Sequence, residues 1–212
     1  MKHKFIIPLL LFSTLCLNPA AQAGNPHLIS GTQAYGRGDY QGAIREYVKA
    51  GPEGQYVAGL FYYNGSGVSR DLTKAAFWFK KAAEQGNSGA SYLLGTMYED
   101  GIGGNKNKIQ AAKWFRYAAN SGDAKAAYHL GYLYKMGSGV THDHNEAAKW
   151  FRKAAQDGNA SAAYSLAMMR EKGDGIKQDS AKAAKWFHVA AEKGISRIEN
   201  SIIQERLKCP NC

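Results

Sequence analysis

The sequence predicts an all-α solenoid of stacked helical hairpins, and three observations carry that expectation. Trp78, Trp114, Trp150 and Trp186 return at a constant interval of 36 residues, within the range of solenoid repeats. Each Trp is followed by Phe and then by an Ala-Ala pair, from Phe79 with Ala82-Ala83 to Phe187 with Ala190-Ala191. Gly is frequent, with 24 copies in 212 residues, and the glycines recur at fixed offsets from the Trp.

The clearest unit begins at Ala90. Its first helix is expected over Ala90–Tyr98, its loop at Gly101-Ile102-Gly103, and its second helix from Asn107 to Ser121, stopped by Gly122. Tyr92, Gly95 and Tyr98 recur every three residues and share a helix face. The Gly between the tyrosines lets a neighbouring helix come close. The G-x-G loop offers positive φ at the hairpin turn. The Asp or Asn after the loop is an N-cap, and Asn107…Gln110 and Asp143…Glu146 have full capping-box spacing. The unit recurs around Tyr56, Tyr128 and Tyr164. The boundaries are placed at 54–89, 90–125, 126–161 and 162–194.

The flanks differ from these units. Residues 24–53 form a shorter first unit, with helices expected over His27–Tyr35 and Tyr40–Ala50 and then Pro52. After 194, Ile195, Ile198, Ile202 and Leu207 alternate with polar residues at helical spacing, as a terminal capping helix with a C-x-x-C tail (195–212) requires. Residues 1–23 have the pattern of a secretory signal: Lys2-His3-Lys4, apolar Phe5–Leu17, and Ala21-Gln22-Ala23 before Gly24. The apolar run is too short to span a bilayer, and no stable membrane insertion is expected. Cleavage near Ala23-Gly24 would give a periplasmic or secreted protein. Loss of Lys2 and Lys4 would lower the net charge from +10 to about +8. A basic surface favours anionic partners. Export argues against nucleic acid and leaves acidic proteins, phospholipid head groups and cell-wall polymers.

Cleavage would also remove Cys16, leaving Cys209 and Cys212. In an oxidising compartment a small-loop disulfide is the default. A redox pair needs a following helix N-terminus to lower a thiol pKa, and zinc needs two further ligands. Intermolecular pairing stays open.

The combination A-x-Y-x-x-G-x-x-Y-x-x-G-x-G-V-x-x-D-x-x-x-A-A-x-W-F-x-x-A-A-x-x-G resembles the Sel-one-like repeat, a relative of the tetratricopeptide repeat. Ala126–Gly158 matches nearly every slot. The resemblance spans about 54–194, and 26–50 is similar to a tetratricopeptide unit. It implies a right-handed αα-superhelix whose members act as adaptors and scaffolds, many of them exported. Some cysteine-rich members are linked to β-lactam binding or hydrolysis. They carry a cysteine pair per unit, which this chain lacks between Ala23 and Lys208, so a β-lactamase-like or cell-wall hydrolase activity is not carried over. Other exported members resemble immunity proteins that neutralise secreted toxins, including lipid-degrading ones, and this is the alternative function.

No catalytic or cofactor-binding constellation emerges, and neither an enzyme nor a cofactor is expected. His142-Asp143-His144 is the best metal-like cluster, but Asp143 occupies the N-cap slot and sister units have no His there, so no metal is assigned. His129 and His188 have no obvious partner in the sequence. Ser138 fills a variable loop slot shared with Ser66, Ile102 and Asp174, which does not suit a nucleophile.

By the same resemblance the first helices line the concave surface. The Tyr column (Tyr56, Tyr92, Tyr128, Tyr164) is assigned to packing between repeats, because a repeated residue serves the fold. The varying positions are the candidates for binding a protein or peptide: Tyr63, Glu99, Tyr132, Lys135 and Glu171. The bases of the second helices (Lys80, Lys81, Lys113, Arg116, Lys149, Arg152, Lys153, Lys185) are assigned to a solvated outer face. The expected assembly is a monomer that binds a protein or peptide.

Overall fold

The computed structural model describes residues 24–194. The expected signal (1–23), the terminal helix and the Cys209–Cys212 pair lie outside them. The described residues form ten α-helices and no strands: α1 Pro26–Gly36, α2 Tyr40–Tyr47, α3 Gly51–Asn64, α4 Leu72–Glu84, α5 Ser88–Asp100, α6 Lys108–Asn120, α7 Ala124–Met136, α8 His144–Gln156, α9 Ala160–Lys172 and α10 Ser180–Glu192. This is an all-α repeat solenoid. It divides into two compact units, one running to Leu94 with Ile102–Asn105, the other comprising Gly95–Gly101 and the chain from Lys106 on. No helix among the described residues is long and apolar enough to cross a membrane.

Side-chain caps set where the helices begin. Asp71, Asn107, Asp143 and Asp179 each accept a hydrogen bond from the backbone N–H three residues on, at 2.9–3.0 Å. Such a cap contributes about 1 kcal/mol. Asn87, Asp123 and Asn159 do the same for α5, α7 and α9. The expected capping boxes are only half made. The backbone N–H of Asn107 donates to the Tyr98 carbonyl (2.8 Å) and that of Asp143 to the Tyr134 carbonyl (3.1 Å), while the Glu146 carboxylate accepts from Lys149. The hairpin turn brings a carbonyl from the end of the first helix, where carbonyls lack intrahelical partners, within reach of the cap N–H. The same bond joins Asp71 to Tyr62 and Asp179 to Arg170. It pins both helices of every full hairpin.

The core follows from one contact. Phe79, Phe115, Phe151 and Phe187 are buried, and the first three rings face Gly59, Gly95 and Gly131 of the first helices. A Cβ added at Gly131 would lie 2.8 Å from the Phe151 ring, and one at Gly59 2.6 Å from the Phe79 ring. In the first hairpin Tyr47 takes the place of Phe and meets Gly31 in the same way. Ala82, Ala118, Ala154 and Ala190, fully buried, keep the helices close beside the ring.

The Tyr column packs on the Phe of its own hairpin, with Tyr56 5.9 Å from Phe79, Tyr128 5.7 Å from Phe151 and Tyr164 5.7 Å from Phe187. Tyr56 also reaches the next repeat, where a Cβ at Gly89 would lie 3.4 Å from its ring. The Trp is not the central knob. Only Trp114 is buried, while Trp78, Trp150 and Trp186 are half-buried. Among the described residues the indole N–H groups of Trp114 and Trp150 find no acceptor. The Phe one residue later, turned by about 100°, is buried in every repeat.

Stacking of one hairpin on the previous one depends on the second Gly of the loop. Gly139 has φ of +75°, and a Cβ there would lie 2.2 Å from the Lys108 carbonyl carbon, at the first residue of α6. No side chain fits between this turn and the helix below it. The loop glycines of the neighbouring hairpins meet Tyr40, Leu72 and His144, the first residues of α2, α4 and α8.

Phe151→Ala should cost about 3–5 kcal/mol. Trp150→Ala, at a half-exposed position, should cost less. Urea unfolding midpoints measure both, and a reversed order would refute the assignment of Phe as the core residue.

Candidate functional site

Tyr63, the candidate in the first unit, is half-buried in α3 with its ring 6.1 Å from Phe79. Its carbonyl accepts from Arg70 Nε at 3.0 Å. Tyr63 is therefore partly committed to its own hairpin. Glu171, in the same slot of α9, is half-buried, and its carbonyl accepts from Gln178 Nε2 at 2.9 Å.

In the second unit Glu99 is the centre of a charge cluster, with its side chain 13% exposed. Lys108 Nζ donates to Oε1 at 2.9 Å, and His129 Nδ1 lies 3.0 Å from Oε2. The His129 hydrogen bond holds the Glu99 pKa down at about 2, with further help from Lys108 and against the desolvation that would raise it. The His129 ring stacks on the buried Phe115 at 4.9 Å. His129, partnerless in the sequence, thus joins α7 to α5 through Glu99. A carboxylate already holding two internal partners is a support more than an open contact.

Tyr132 and Lys135 follow His129 on α7. Tyr132 is 47% exposed, Met136 one turn later is 58% exposed, and Lys135 is half-buried. Residues three and four apart share a helix face, so Tyr132, Lys135 and Met136 form one amphipathic strip beside the cluster. Met136 was missed in the sequence because it does not stand at the offsets of one and four residues after the Gly.

The outer face also departs from expectation. Lys80 pairs with Glu84 at 3.9 Å and Lys149 with Glu146 at 2.5 Å, as a solvated face would. On α6, however, Ile109 is 68% and Tyr117 55% exposed, and with Val140 they border a groove of about 350 Å³. The signal for it was present in the repeat: Thr73, Asn145 and Ala181 hold the Ile109 slot, and Lys81, Lys153 and Val189 the Tyr117 slot.

Of the histidine loop, Asp143 serves as the α8 N-cap. His144 Nδ1 instead pairs with Asp174 from the following loop, and the His142 and His144 Nε2 atoms lie 2.8 Å apart. Among the described residues no group of three or more His, Cys, Asp or Glu is placed to hold a metal ion. His188 pairs with Glu192 at 3.2 Å on the surface.

The model of the Sel1 repeat family matches residues 52–87, 88–123, 124–159 and 160–195. The chain belongs to the Sel1 repeat family. The Sel1 register opens its second, third and fourth repeats on the first residues of α5, α7 and α9. The fold is similar to that of a Sel1 repeat protein from Oxalobacter formigenes, at 32% identity and TM-score 0.76, covering 84% of this chain and 74% of the other. It is equally similar to c5321, a protective antigen of uropathogenic Escherichia coli with the same repeat fold. That match has 32% identity and TM-score 0.76 and covers 92% of this chain but only 41% of the antigen. No curated protein matches the sequence. Sel1 repeat proteins are protein-interaction scaffolds, typically without enzymatic activity.

The Glu99 cluster makes a pH prediction. A carboxyl held at about 2 when folded contributes stability that is present above its ordinary value of 4.5 and is lost as pH falls toward 2. Glu99→Gln should therefore be less stable than the wild type at neutral pH. The gap should close between about pH 4.5 and pH 2, as read from urea midpoints across that range; a constant gap would contradict the lowered pKa.

Proposed function

We propose that this chain is an exported Sel1 repeat scaffold that holds a protein or peptide partner on the α7 strip. The observation that carries the reading is the pairing of exposed Tyr132 and Met136 with Lys135 on a helix anchored through His129 to Glu99. Exposed Tyr and Met are enriched where proteins dock, and a rigid base lowers the entropy cost of docking. Lys135 adds a cation suited to an acidic residue on the partner. Export rests on Lys2-His3-Lys4, the apolar run Phe5–Leu17 and Ala21-Gln22-Ala23. The role assigned is binding without turnover.

Cross-linking in the cell envelope followed by mass spectrometry would identify the partner. Tyr132→Ala combined with Lys135→Glu should reduce its recovery about tenfold or more, with an unchanged helical circular dichroism spectrum. Full recovery by the folded double variant would exclude this face. Amino-terminal sequencing of the envelope form should begin near Gly24.

A further inference from the structure

The repeat supplies an internal control for charge, and α6 departs from it. The second helices α2, α4, α8 and α10 each contain a glutamate: Glu46, Glu84, Glu146 and Glu192. Each is preceded by an aspartate cap, at Asp39, Asp71, Asp143 and Asp179. Helix α6 has no carboxylate and is capped by Asn107. In register, Asn120 stands in the slot of Glu84 and Glu192, and Gln110 stands in that of Glu146. Helix α8 also has an amide in the first of these slots, Gln156, but keeps Glu146.

Those carboxylates pair with specific bases elsewhere. Lys80 pairs with Glu84, His188 with Glu192, and Lys149 with Glu146. Arg116 holds the slot of Lys80 and His188, and Lys113 that of Lys149. Among the described residues neither has a carboxylate partner. Both are nonetheless held in place. Lys113 Nζ lies 5.6 Å from the Trp114 ring centre, and the Arg116 guanidinium lies over the Tyr134 ring and donates to its hydroxyl. Aromatic support fixes each cation without cancelling its charge.

These cations flank the groove of about 350 Å³, whose apolar wall is Ile109, Ala112, Tyr117 and Val140. That volume is at the lower end of ligand pockets, enough for one or two large side chains. Ile109, Lys113 and Tyr117 are spaced four residues apart, so the strip extends about 12 Å along the helix. An isolated anion would use the cations and leave the apolar strip bare. A membrane surface would engage a broad basic face, whereas the neighbouring second helices set Glu84 and Glu146 among their bases.

We propose that this groove binds an acidic segment of a partner protein, with an apolar side chain seated between Ile109, Tyr117 and Val140 and carboxylates on Lys113 and Arg116. The site is separate from the α7 strip and does not rest on it.

Selection of a phage-displayed random dodecapeptide library on the full chain tests the proposal. The enriched peptides should carry Asp or Glu around a Leu, Ile or Phe. The best of them, followed by fluorescence anisotropy, should bind about tenfold or more weakly to Gln110→Glu with Asn120→Glu, which restores the carboxylates of the sister repeats. If that variant fails to fold, Lys113→Gln with Arg116→Gln takes its place with the same expected loss. Tyr132→Ala with Lys135→Glu should leave this binding unchanged, so failure of either site is read independently. Enrichment without acidic bias, or equal affinity in the folded variant, would overturn the proposal. Phosphatidylglycerol vesicles that bind the wild type and lose binding to the variant, with no acidic peptide enriched, would overturn it in favour of a lipid surface.

Discussion

The Phe151 ring occupies the space that a side chain at position 131 would need, and the rest of the hairpin is arranged around that fact. Because the ring meets backbone directly, the two helices lie close, and the residues beside the contact must be small. Ala147, Ala148, Ala154 and Ala155 are buried for this reason. The Tyr three residues before the Gly then covers the ring, as Tyr128 does for Phe151. Glycine lowers helix propensity by about 1 kcal/mol, and close packing against a buried aromatic ring offsets that cost.

Each hairpin joins the next through a second Gly contact of different character. At Gly139 the loop backbone rests on the start of α6, and at Gly175 on the start of α8. The cap bonds from Asn107 to Tyr98 and from Asp143 to Tyr134 hold the turns in the shape that this contact needs. Stability in such an array is a sum of hairpin terms and nearest-neighbour terms. The residues outside these two contact sets are free to differ between repeats, and the candidate binding residues are drawn from them.

The second unit uses that freedom in two ways. The Glu99–Lys108–His129 cluster gives one repeat junction a charged link where the sister repeats have Val57 and Ser165 in the His129 slot. Helix α6 removes carboxylates while it keeps its bases, so it lacks the glutamate that each of the other second helices sets among its bases. Both are departures from an otherwise strict pattern, and neither strengthens the core.

Within the fold, the Trp-Phe-Ala-Ala interval, the Tyr-Gly-Tyr spacing and the G-x-G loops determined the all-α repeat, its helix order and the phase of each hairpin. They did so because the side chains that face a helical neighbour must recur with the period of the helix. The sequence could not tell which of two adjacent aromatics enters the core, since Trp150 and Phe151 are both large and apolar and only the crossing of the helices selects between them. It could not show that Glu99 meets His129, 30 residues away, because that pairing depends on how one hairpin stacks on the next. Nor could it separate the bases that find a carboxylate from those that do not. The repeat pattern determined the scaffold through local packing, and the exposed chemistry was decided by tertiary contacts between residues that no local rule pairs.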